Sequence, residues 1–571
     1  MYKKIQINNF RLFQNQTILL GKYLTVLSGR NSTGKSTILG MIANSGELKK
    51  KDGVTYSSKA FRADFSELFK GSRQFDHVGA DRFTITLCDD EGVETDYRSF
   101  RTAWQTKEKY RVRQHNKVDR DNTETTSVEN EKDKPAHEER FRVIPFKKLE
   151  DGKKTEAKFN YPVLYLGLSR LFPIGESQIG SISTRAISFK SKEHHDWFVE
   201  KYKSILSMQC DVQQVTNYSI SETDKKIGIG VSTEYYDYLT NSSGQDNLGQ
   251  ILLALLSFRK LKEEQGDSWQ GGLLLIDEID ATLHPAAQTK LISLLTQEAK
   301  SNKIQIVVTT HSLSFLKDIC RLTAHNNHKD TVNNNIELYY LTNANRKLEI
   351  KRNLFFYEIE SDLMIVSAVQ NHNKIKIYSE DAEARWFLKY LAPDYLVYVD
   401  VLEITIGCDQ LINLYGADLQ YFGNMLILFD GDVKETQFNK IPRVIRDSLG
   451  NIIQLPGSNS PEEMLYNYLL TLGSNHAFWS SAAQKVGFTW DYFHEHGPKS
   501  DDYKQEKDRE KYKKWFINHR QLFESTNLMD FWKMDNQELV KKFREDFRNA
   551  YNHIAKRTLN MPIEEEHEEI L

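Results

Sequence analysis

Residues 29–36 are Gly-Arg-Asn-Ser-Thr-Gly-Lys-Ser, and Thr37 follows them. This G-x-x-x-x-G-K-S pattern lies between two apolar runs, 23–27 and 37–42, which predict a buried strand and the start of a helix. Such a glycine-rich loop turns backbone amides toward phosphate, and the helix N-terminus adds positive potential. We expect Lys35 to reach the β- and γ-phosphates and Ser36 to hold Mg²⁺. The predicted nucleotide-binding residues are Gly29, Asn31, Gly34, Lys35, Ser36 and Thr37.

Length and composition set broad limits on the protein class. A chain of 571 residues predicts about two to four domains. A formal charge of −3 indicates no global basic field for nucleic acid, although a local basic face would be enough. The four cysteines are far apart and form no C-x-x-C, which favours reduced thiols in a cytoplasmic protein over disulfides or zinc. No apolar run reaches about 18 residues, so we expect no membrane span.

The rest of the first half alternates apolar runs with polar turns. Period-2 alternation predicts strands, whereas apolar spacings of three and four predict helices. Residues 105–140 are mostly charged and polar, which is typical of a mobile surface insertion. The expected elements are strands over 1–30, a mostly helical segment over 36–70, a hairpin over 81–100, a buried strand over 161–168 that leads to Arg170, and a helix at about 185–210 as a candidate for dimerisation.

A polar turn at 242–247 precedes an amphipathic helix. Leucine and isoleucine recur from Leu248 to Leu256 at helical spacing, so one face of that helix is expected to be buried. The turn contains Ser243, Gly244 and Gln245, whose backbone amides lie at a helix start and can face phosphate. Taken alone, a serine-rich helix cap of this kind is common and does not identify a site.

Two apolar strands in the same region end in chemically active side chains. Residues 272–276 are followed by Asp277 and Glu278, which places two carboxylates at the end of a buried parallel strand. Asp277 is suited to hold Mg²⁺ through water, and Glu278 to orient or deprotonate the attacking water. Residues 304–308 are followed by Thr309, Thr310 and His311. A histidine at a strand end can sense the γ-phosphate, although a lone histidine is more often structural.

These four segments, in this order, resemble the ABC-type ATPase head of DNA-repair and phage-defence ATPases. The resemblance covers roughly residues 1–350. It implies paired heads, in which Ser243, Gly244 and Gln245 of one head contact the γ-phosphate held by Lys35 of the other. It also implies that Asp277 is the Mg²⁺ aspartate, Glu278 the catalytic glutamate and His311 the switch histidine.

Two features of that family have no clear counterpart here. The glutamine that contacts Mg²⁺ between the P-loop and the signature turn is not marked by a motif, and Gln74 is our candidate. Residues 45–240 show no sustained heptads. We therefore expect none of the long coiled-coil arms of chromosome-organising relatives.

The second half places carboxylates after two further predicted strands. Residues 374–378 lead to Glu380 and Glu383, and residues 425–429 lead to Asp430 and Asp432. Carboxylates gathered at neighbouring strand ends repel one another unless cations are bound. Oxygen ligands suit Mg²⁺ or Mn²⁺, and two such metals support phosphodiester hydrolysis. Alone, Asp-Gly-Asp is also a common turn sequence.

This pattern resembles a Toprim domain, and an ABC head followed by Toprim is the architecture of OLD-family (overcoming lysogenisation defect) nucleases. The resemblance implies that Glu380, Asp430 and Asp432 are catalytic metal ligands, and that Glu383 and Glu462 bind a second metal. The family's usual glutamate-glycine pair is replaced here by Glu380-Asp381. The family also uses a C-terminal lysine to stabilise transition-state charge, for which Lys513 or Lys514 is the candidate and Lys513 our choice.

Residues 499–516 form the most basic stretch of the chain, with aromatic residues interleaved. Such a segment can line a nucleic-acid path. It is equally well explained as a solvated helix face on which lysines pair with neighbouring acids.

The sequence therefore predicts an α/β protein with an ABC-type P-loop ATPase domain at 1–352, a connecting helix at 353–370 and a Toprim domain with a helical extension at 371–571. We expect a cytoplasmic ATPase and Mg²⁺- or Mn²⁺-dependent DNA endonuclease in anti-phage defence. It would bind ATP and DNA, form homodimers or larger homo-oligomers, and accept a separately encoded protein or RNA partner. The alternatives are a DNA-binding sensor or scaffold with an inactive Toprim-like half, and a strand-passage or priming enzyme.

Overall fold

The structure, a computed structural model, describes residues 1–105, 140–148, 153–177, 182–220, 227–324, 335–367, 374–438 and 441–564. The chain forms two compact units, Met1–Met364 and Ile365–Leu571. The predicted insertion at 105–140 lies almost wholly outside the described residues, as does part of the predicted connecting segment at 353–370.

The first unit combines strands and helices along its whole length. Its strands are β1 (Tyr2–Phe10), β2 (Phe13–Leu19), β3 (Leu24–Gly29), β4 (Gly46–Glu47), β5 (Gly79–Cys88), β6 (Glu94–Gln105), β7 (Arg140–Lys148), β8 (Lys154–Thr155), β9 (Phe159–Asn160), β10 (Val163–Leu166), β11 (Ile182–Ala186), β12 (Val212–Ile220), β13 (Ile227–Thr233), β14 (Gly272–Ile276), β15 (Ile304–Thr310), β16 (Ile336–Thr342) and β17 (Glu349–Arg352). Its helices are α1 (Lys35–Ala43), α2 (Phe65–Leu68), α3 (Lys192–Leu206), α4 (Ser243–Gln265), α5 (Pro285–Asn302), α6 (Leu313–Ala324) and α7 (Phe356–Met364).

A central sheet with the strand order β10-β14-β15-β3-β16-β17 is the framework of this unit. Its strands are parallel except β17, which runs antiparallel to β16. The strands β3, β14 and β15 are buried along their whole length, as their continuous apolar sequences predict. In register, Ile276 pairs with Val308 and Val308 with Val26, so the three strands end at the same edge of the sheet.

A second, antiparallel sheet has the order β2-β1-β5-β6-β7-β8. It contains the predicted hairpin as β5 and β6. One hydrophobic core joins this sheet, helix α1 and one face of the central sheet, with Ile5, Ile38 and Val307 among its fully buried members. The core holds α1, the helix that follows the phosphate-binding loop, against the central sheet.

The prediction of a mostly helical segment over 36–70 is wrong beyond Ala43. After α1 the chain forms the short strand β4, and antiparallel bridges join Glu47 to Arg62 and Val54 to Ala60. Only residues 65–68 return to α-helix. Gly53, with a φ of 152°, adopts a backbone conformation that other residues rarely take and that a helix excludes.

A small antiparallel sheet, β11-β12-β13, packs on α4. Asp246 of α4 accepts hydrogen bonds from the Tyr218 hydroxyl and the Ile229 backbone N–H, both at 2.7 Å. These two bonds tie the beginning of α4 to the middle of the small sheet. The helix predicted at about 185–210 is present as α3.

The second unit has its own parallel sheet, with β18 (Ile375–Ser379), β19 (Val399–Val401), β20 (Leu426–Phe429) and β21 (Ile452–Gln454) in the order β19-β18-β20-β21. The strands β18 and β20 are therefore neighbours, and their carboxyl ends meet. Its helices are α8 (Ala382–Leu391), α9 (Cys408–Ala417), α10 (Leu419–Phe422), α11 (Arg443–Leu449), α12 (Pro461–Thr471), α13 (Ala482–Lys485), α14 (Trp490–Glu495), α15 (Asp508–Ser525), α16 (Leu528–Asp535) and α17 (Gln537–Thr558).

The aromatic residues of the basic stretch 499–516 belong to the core of the second unit. Tyr503, Trp515 and Phe516 are buried in one cluster with side chains of the sheet and of the helices around it. Lysines of the same stretch pair with nearby acids, such as Lys511 with Asp508 at 3.1 Å. These contacts favour the interpretation of the stretch as a packed helix with a solvated charged face over that of a stacking surface for bases.

Candidate nucleotide and metal sites

The phosphate-binding loop connects β3 to α1, as the sequence predicts. Gly29 and Gly34 have φ values of 139° and 90°. A Cβ atom on Gly29 would lie 2.0 Å from the carbonyl oxygen of Leu341 in β16. Glycine is therefore required at the start of the loop by both its backbone conformation and the close approach of β16.

Lys35 is buried against the backbone of this loop. Its Nζ donates hydrogen bonds to the carbonyl oxygens of Gly29 at 3.0 Å and Arg30 at 2.9 Å. Burial lowers the pKa of Lys35 to about 8, although Glu278 and Asp277 oppose the shift. Nucleotide phosphates would accept hydrogen bonds from the same Nζ–H donors. Lys35 therefore already lies where a phosphate in the loop would bind.

Asp277 and Ser36 supply oxygen ligands suited to Mg²⁺. The Ser36 hydroxyl donates to Asp277 Oδ1 at 3.1 Å, and the Thr309 hydroxyl donates to the same oxygen at 2.7 Å. Asp277 is buried at the end of β14, and Thr309 lies beside it in β15. A serine hydroxyl and a carboxylate next to a phosphate loop form a hard-oxygen set that fits Mg²⁺.

Glu278 and His311 lie just beyond the same strand ends. The Glu278 backbone N–H donates to Thr309 Oγ1 at 2.7 Å, and Glu278 has a positive φ of 48°. His311 is half-buried, and burial together with Lys35 lowers its pKa, so the imidazole is neutral at pH 7. Thr309, which orients both Asp277 and Glu278, was not predicted as a site residue.

Arg170 connects this edge of the central sheet to helix α4. Its Nε donates to Asn247 Oδ1 at 2.8 Å, and its Nη2 donates to the carbonyl oxygen of Glu278 at 2.9 Å. Asn247 in turn donates to the carbonyl oxygen of Ala281 at 2.8 Å. The sequence predicted an arginine at this edge, but only the structure identifies its partners.

The turn at the start of α4 is a complete capping box. Ser242 Oγ accepts from the Gln245 backbone N–H at 3.3 Å, and Gln245 Oε1 accepts from the Ser242 N–H at 2.8 Å. Gln245 Nε2 donates to the Tyr236 hydroxyl at 2.8 Å. Gly244 packs so tightly that a Cβ atom would lie 2.5 Å from the carbonyl oxygen of Thr282. The side chain of Gln245 is thus committed locally, whereas Ser243 is partly exposed.

The predicted glutamine near Mg²⁺ remains unassigned. Gln74 lies in an exposed turn between α2 and β5. No hydrogen bond among the described residues joins Gln74 to the phosphate-binding loop.

The second unit gathers buried carboxylates in the segments that follow β18, β20 and β21. The exposed fractions are 6% for Glu380, 4% for Glu383, 2% for Asp430 and 3% for Glu462. The Asp430 backbone N–H donates to Glu380 Oε1 at 3.1 Å, and Asp430 Oδ1 is buried without a hydrogen-bond partner among the described residues. Asp432 is more exposed and faces Arg509 at 3.6 Å.

The protonation of these acids reflects their crowding. Burial, followed by the charges of Glu380 and Asp381, raises the pKa of Asp430 to about 9. Burial is also the main cause that raises the pKa of Glu462 to about 7, and it raises the pKa values of Glu380 and Glu383. Acids in this state favour either a bound proton or a bound cation.

Lys513 reaches this group of acids from α15. Its Nζ lies 2.7 Å from Asp381 Oδ2 and 3.8 Å from Glu383 Oε2. Its neighbour Lys514 pairs instead with Glu506. Asp381, which was not predicted as a site residue, also caps α8 by accepting from the Ala384 N–H at 3.0 Å. An aspartate directly before a helix is the signal that would have identified it.

These acids have the donor atoms that a divalent metal prefers, but they are not arranged around a common point. Their oxygen donors, high pKa values and the unpartnered Asp430 Oδ1 are features that a bound cation would satisfy. Nevertheless, within the described ranges, no group of three His, Cys, Asp or Glu side chains stands in an arrangement that could hold a metal ion. Metal binding here therefore requires side-chain rearrangement.

Two family models match the first unit. Residues 1–171 match the model described as "AAA ATPase domain", and residues 178–317 match the model described as "AAA domain, putative AbiEii toxin, Type IV TA system". Together with the loop geometry, these matches identify the first unit as an α/β P-loop ATPase. No curated protein matches the chain.

Solved structures similar to the chain include SMC heads. The SMC head domain from Thermotoga maritima has 15% identity, covers 61% of this chain and 98% of its own, and gives a TM-score of 0.28. An SMC head with an extended coiled coil bound to the C-terminal domain of ScpA, derived from Pyrococcus furiosus, has 12% identity, covers 64% and 98%, and gives a TM-score of 0.27.

Two further expectations concern the chain as a whole. Cys88, Cys210, Cys320 and Cys408 are free cysteines in the structure. Among the described residues, no helix is long and apolar enough to cross a membrane.

Proposed function

We propose that the chain is an ATPase whose second unit hydrolyses DNA phosphodiester bonds with Mg²⁺ or Mn²⁺, as in the OLD family. The observation that carries this proposal is Asp430, whose buried Oδ1 has no partner among the described residues and whose pKa is raised to about 9 beside Glu380. A divalent cation would satisfy both the charge and the unpartnered oxygen. When bound, the metal supplies an activated water and charge stabilisation at the phosphate.

The proposed site of the second unit consists of carboxylates that would bind metal and one positively charged lysine. Glu380, Asp430 and Asp432 would hold the first metal, and Glu383 and Glu462 a second. Lys513, oriented by Asp381 at 2.7 Å, provides a fixed positive charge beside them. A positive charge at this position would stabilise negative charge that develops on the phosphate oxygens.

In the first unit, Lys35 would bind the phosphates, Ser36 and Asp277 would hold Mg²⁺, and Glu278 would orient the attacking water. Neutral His311 would contact the γ-phosphate. Within the described residues, no hydrogen bond joins Ser243, Gly244 or Gln245 to Lys35. We infer that the backbone amides of Ser243 and Gly244 serve a nucleotide on a second copy of the chain, so the active ATPase is a homodimer or larger homo-oligomer.

The test is cleavage of plasmid DNA by purified protein with Mg²⁺ or Mn²⁺, with and without ATP. Asp430→Ala should abolish cleavage and retain ATP hydrolysis, whereas Lys35→Ala should abolish ATP binding and change the dependence of cleavage on ATP. Glu463→Ala, next to Glu462 on the same helix, is the matched control and should cleave normally. Cleavage that survives in Asp430→Ala would refute the assignment of the nuclease site.

A second candidate is an ATP-dependent DNA-binding sensor or scaffold with an inactive second unit. The observation in its favour is that the described acids are not arranged to hold a metal ion. ATP hydrolysis without cleavage under any metal condition would support it. The description of one matching family names a putative AbiEii toxin of a Type IV TA system, and we propose for either candidate a role in anti-phage defence. Protection of cells against phage infection, compared between wild type and Asp430→Ala, tests that role.

A further inference from the structure

Arg30, the residue after the first glycine of the phosphate-binding loop, is bound by the last helix of the first unit. Its Nε and Nη2 donate to the carbonyl oxygen of Asp362 at 2.9 and 2.5 Å, and its Nη2 also donates to Asp362 Oδ1 at 2.7 Å. Asp362 lies in α7, so these bonds join residues that are 332 positions apart in sequence. Backbone and side chain of Asp362 thus hold the same guanidinium.

The second carboxylate oxygen of Asp362 is bound to the central sheet. The Tyr340 hydroxyl donates to Asp362 Oδ2 at 2.6 Å. Tyr340 is buried in β16, directly opposite Ser28 of β3 in the strand register. Asp362 therefore joins three elements, namely the loop, the sheet that carries the loop, and α7.

Within the phosphate-binding loop, the backbone carbonyl of Arg30 contacts the side chain of Lys35. Its carbonyl oxygen accepts from Lys35 Nζ at 2.9 Å and from Thr33 Oγ1 at 2.8 Å. Phosphate groups compete for the same Lys35 donors. Phosphate binding therefore acts on the backbone of a residue whose side chain is fixed to α7.

We propose that Asp362 is a positioning residue for the phosphate-binding loop, and that the Arg30–Asp362 contact transmits the nucleotide state of the loop to α7. This helix ends at Met364, where the first unit ends and the second begins at Ile365. The inference rests on the proposed ATP binding but not on the proposed nuclease. The side chains of Arg30 and Asp362 are 26% and 16% exposed, so the pair is shielded more than an ordinary surface ion pair. Because coupling is reciprocal, the position of α7 must also affect nucleotide affinity.

The first test compares nucleotide binding and hydrolysis in Asp362→Asn and Arg30→Gln. Asp362→Asn keeps the shape of the side chain and removes its charge. We expect about five- to tenfold weaker binding of a fluorescent ATP analogue, the same increase in KM and little change in kcat, because the pair organises the loop before chemistry. The double variant should lose less than the sum of the two single variants, since the substitutions share the ion pair between Arg30 Nη2 and Asp362 Oδ1.

The control is Glu360→Gln, which removes a charge from the same helix at a residue that forms no ion pair in the described structure. It should bind the analogue like wild type. Thermal unfolding of each variant establishes that the fold is retained. Binding by Asp362→Asn equal to that of the control would overturn the positioning role, as would additive effects in the double variant.

The second test measures hydrogen exchange of the backbone amides of 356–364 with and without a non-hydrolysable ATP analogue. Nucleotide should change exchange in the wild type, and Arg30→Gln should abolish the change while saturated with the analogue. Unchanged exchange in the wild type would overturn the transmission. Neither test uses DNA cleavage. Failure of the nuclease proposal would therefore appear in the plasmid assay alone.

Discussion

Replacing Asp430 by Asn should stabilise the metal-free protein at neutral and alkaline pH. The pKa of Asp430 is raised from its ordinary value of 3.8 to about 9 by burial and by the nearby charges of Glu380 and Asp381. The folded protein therefore holds a proton at this carboxyl that the unfolded chain releases above about pH 4. Because the folded state binds more protons, the free energy of unfolding falls as pH rises from about 4 to about 9.

The size of the effect follows from the same pKa difference. At pH 7 the retained proton costs up to about 4 kcal/mol, since each pH unit above the unfolded pKa is worth about 1.4 kcal/mol. An asparagine has the same shape and does not bind or release a proton in this pH range, so it removes this loss of stability. The position is 2% exposed, so solvent screens little of it. For a unit of this size, the gain corresponds to an increase in Tm of up to about 10 °C.

The assay is unfolding by urea or heat in EDTA at pH 5, 7 and 8.5. The advantage of Asp430→Asn should grow with pH, from about 2 kcal/mol at pH 5 to about 4 kcal/mol at pH 7. Asp447→Asn, whose side chain is 69% exposed, is the control and should change stability little at every pH. Adding Mn²⁺ should stabilise wild type more than Asp430→Asn. An asparagine variant that is less stable than wild type at pH 8.5, or one with the same pH slope, would refute the reasoning.

Three further substitutions test single contacts. Glu278→Gln should lower kcat for ATP hydrolysis by about 100-fold or more and leave ATP binding intact, and hydrolysis at the wild-type rate would remove Glu278 from the mechanism. Arg170→Gln should cost about 2–4 kcal/mol in urea unfolding, because it removes the guanidinium donors from buried acceptors, whereas the exposed Arg321→Gln should cost little. Lys513→Met should abolish DNA cleavage with ATP hydrolysis unchanged, and equal loss in Lys514→Met would contradict the choice between the two lysines.

The phosphate-binding loop and the polar side chains at the neighbouring strand ends were predictable because their signals are local. A buried parallel strand is a continuous apolar run, and the chemistry follows directly where the run ends. This reasoning places Lys35, Asp277 and His311 at one edge of a sheet. The same logic brings Glu380 and Asp430 together, because the strands that they follow are neighbours.

Contacts between distant segments were not predictable from the same patterns. Nothing local distinguishes Arg170 as the partner of Asn247, or Arg30 as the partner of Asp362. Similarly, the aromatic residues of 499–516 match a nucleic-acid surface and a buried helix face equally well, and burial of Trp515 decides between them. Patterns specify which faces are apolar, whereas tertiary packing decides what covers each face.

The position of β3 in the central sheet has a consequence for how the protein is made. Its neighbours are β15 and β16, which begin at Ile304 and Ile336, and it lies fully buried between them. During synthesis at about 5–20 residues per second, β3 waits about 15–60 s after leaving the ribosome before both partners exist. Until β15 has been made, both edges of this apolar strand are unpaired, and the edge that β16 covers stays open to association with other chains for the whole interval.

Truncated fragments of the chain can also leave the edges of β3 unpaired. A fragment that ends at residue 171, where the first family match ends, contains β3 but neither of its neighbours. Such a fragment should aggregate, whereas one that ends at Met364 includes the whole sheet. Because β3 needs both neighbours, the central sheet can form only when almost the whole first unit has been synthesised. The nucleotide site can therefore assemble only after about three hundred residues have been added beyond the phosphate-binding loop.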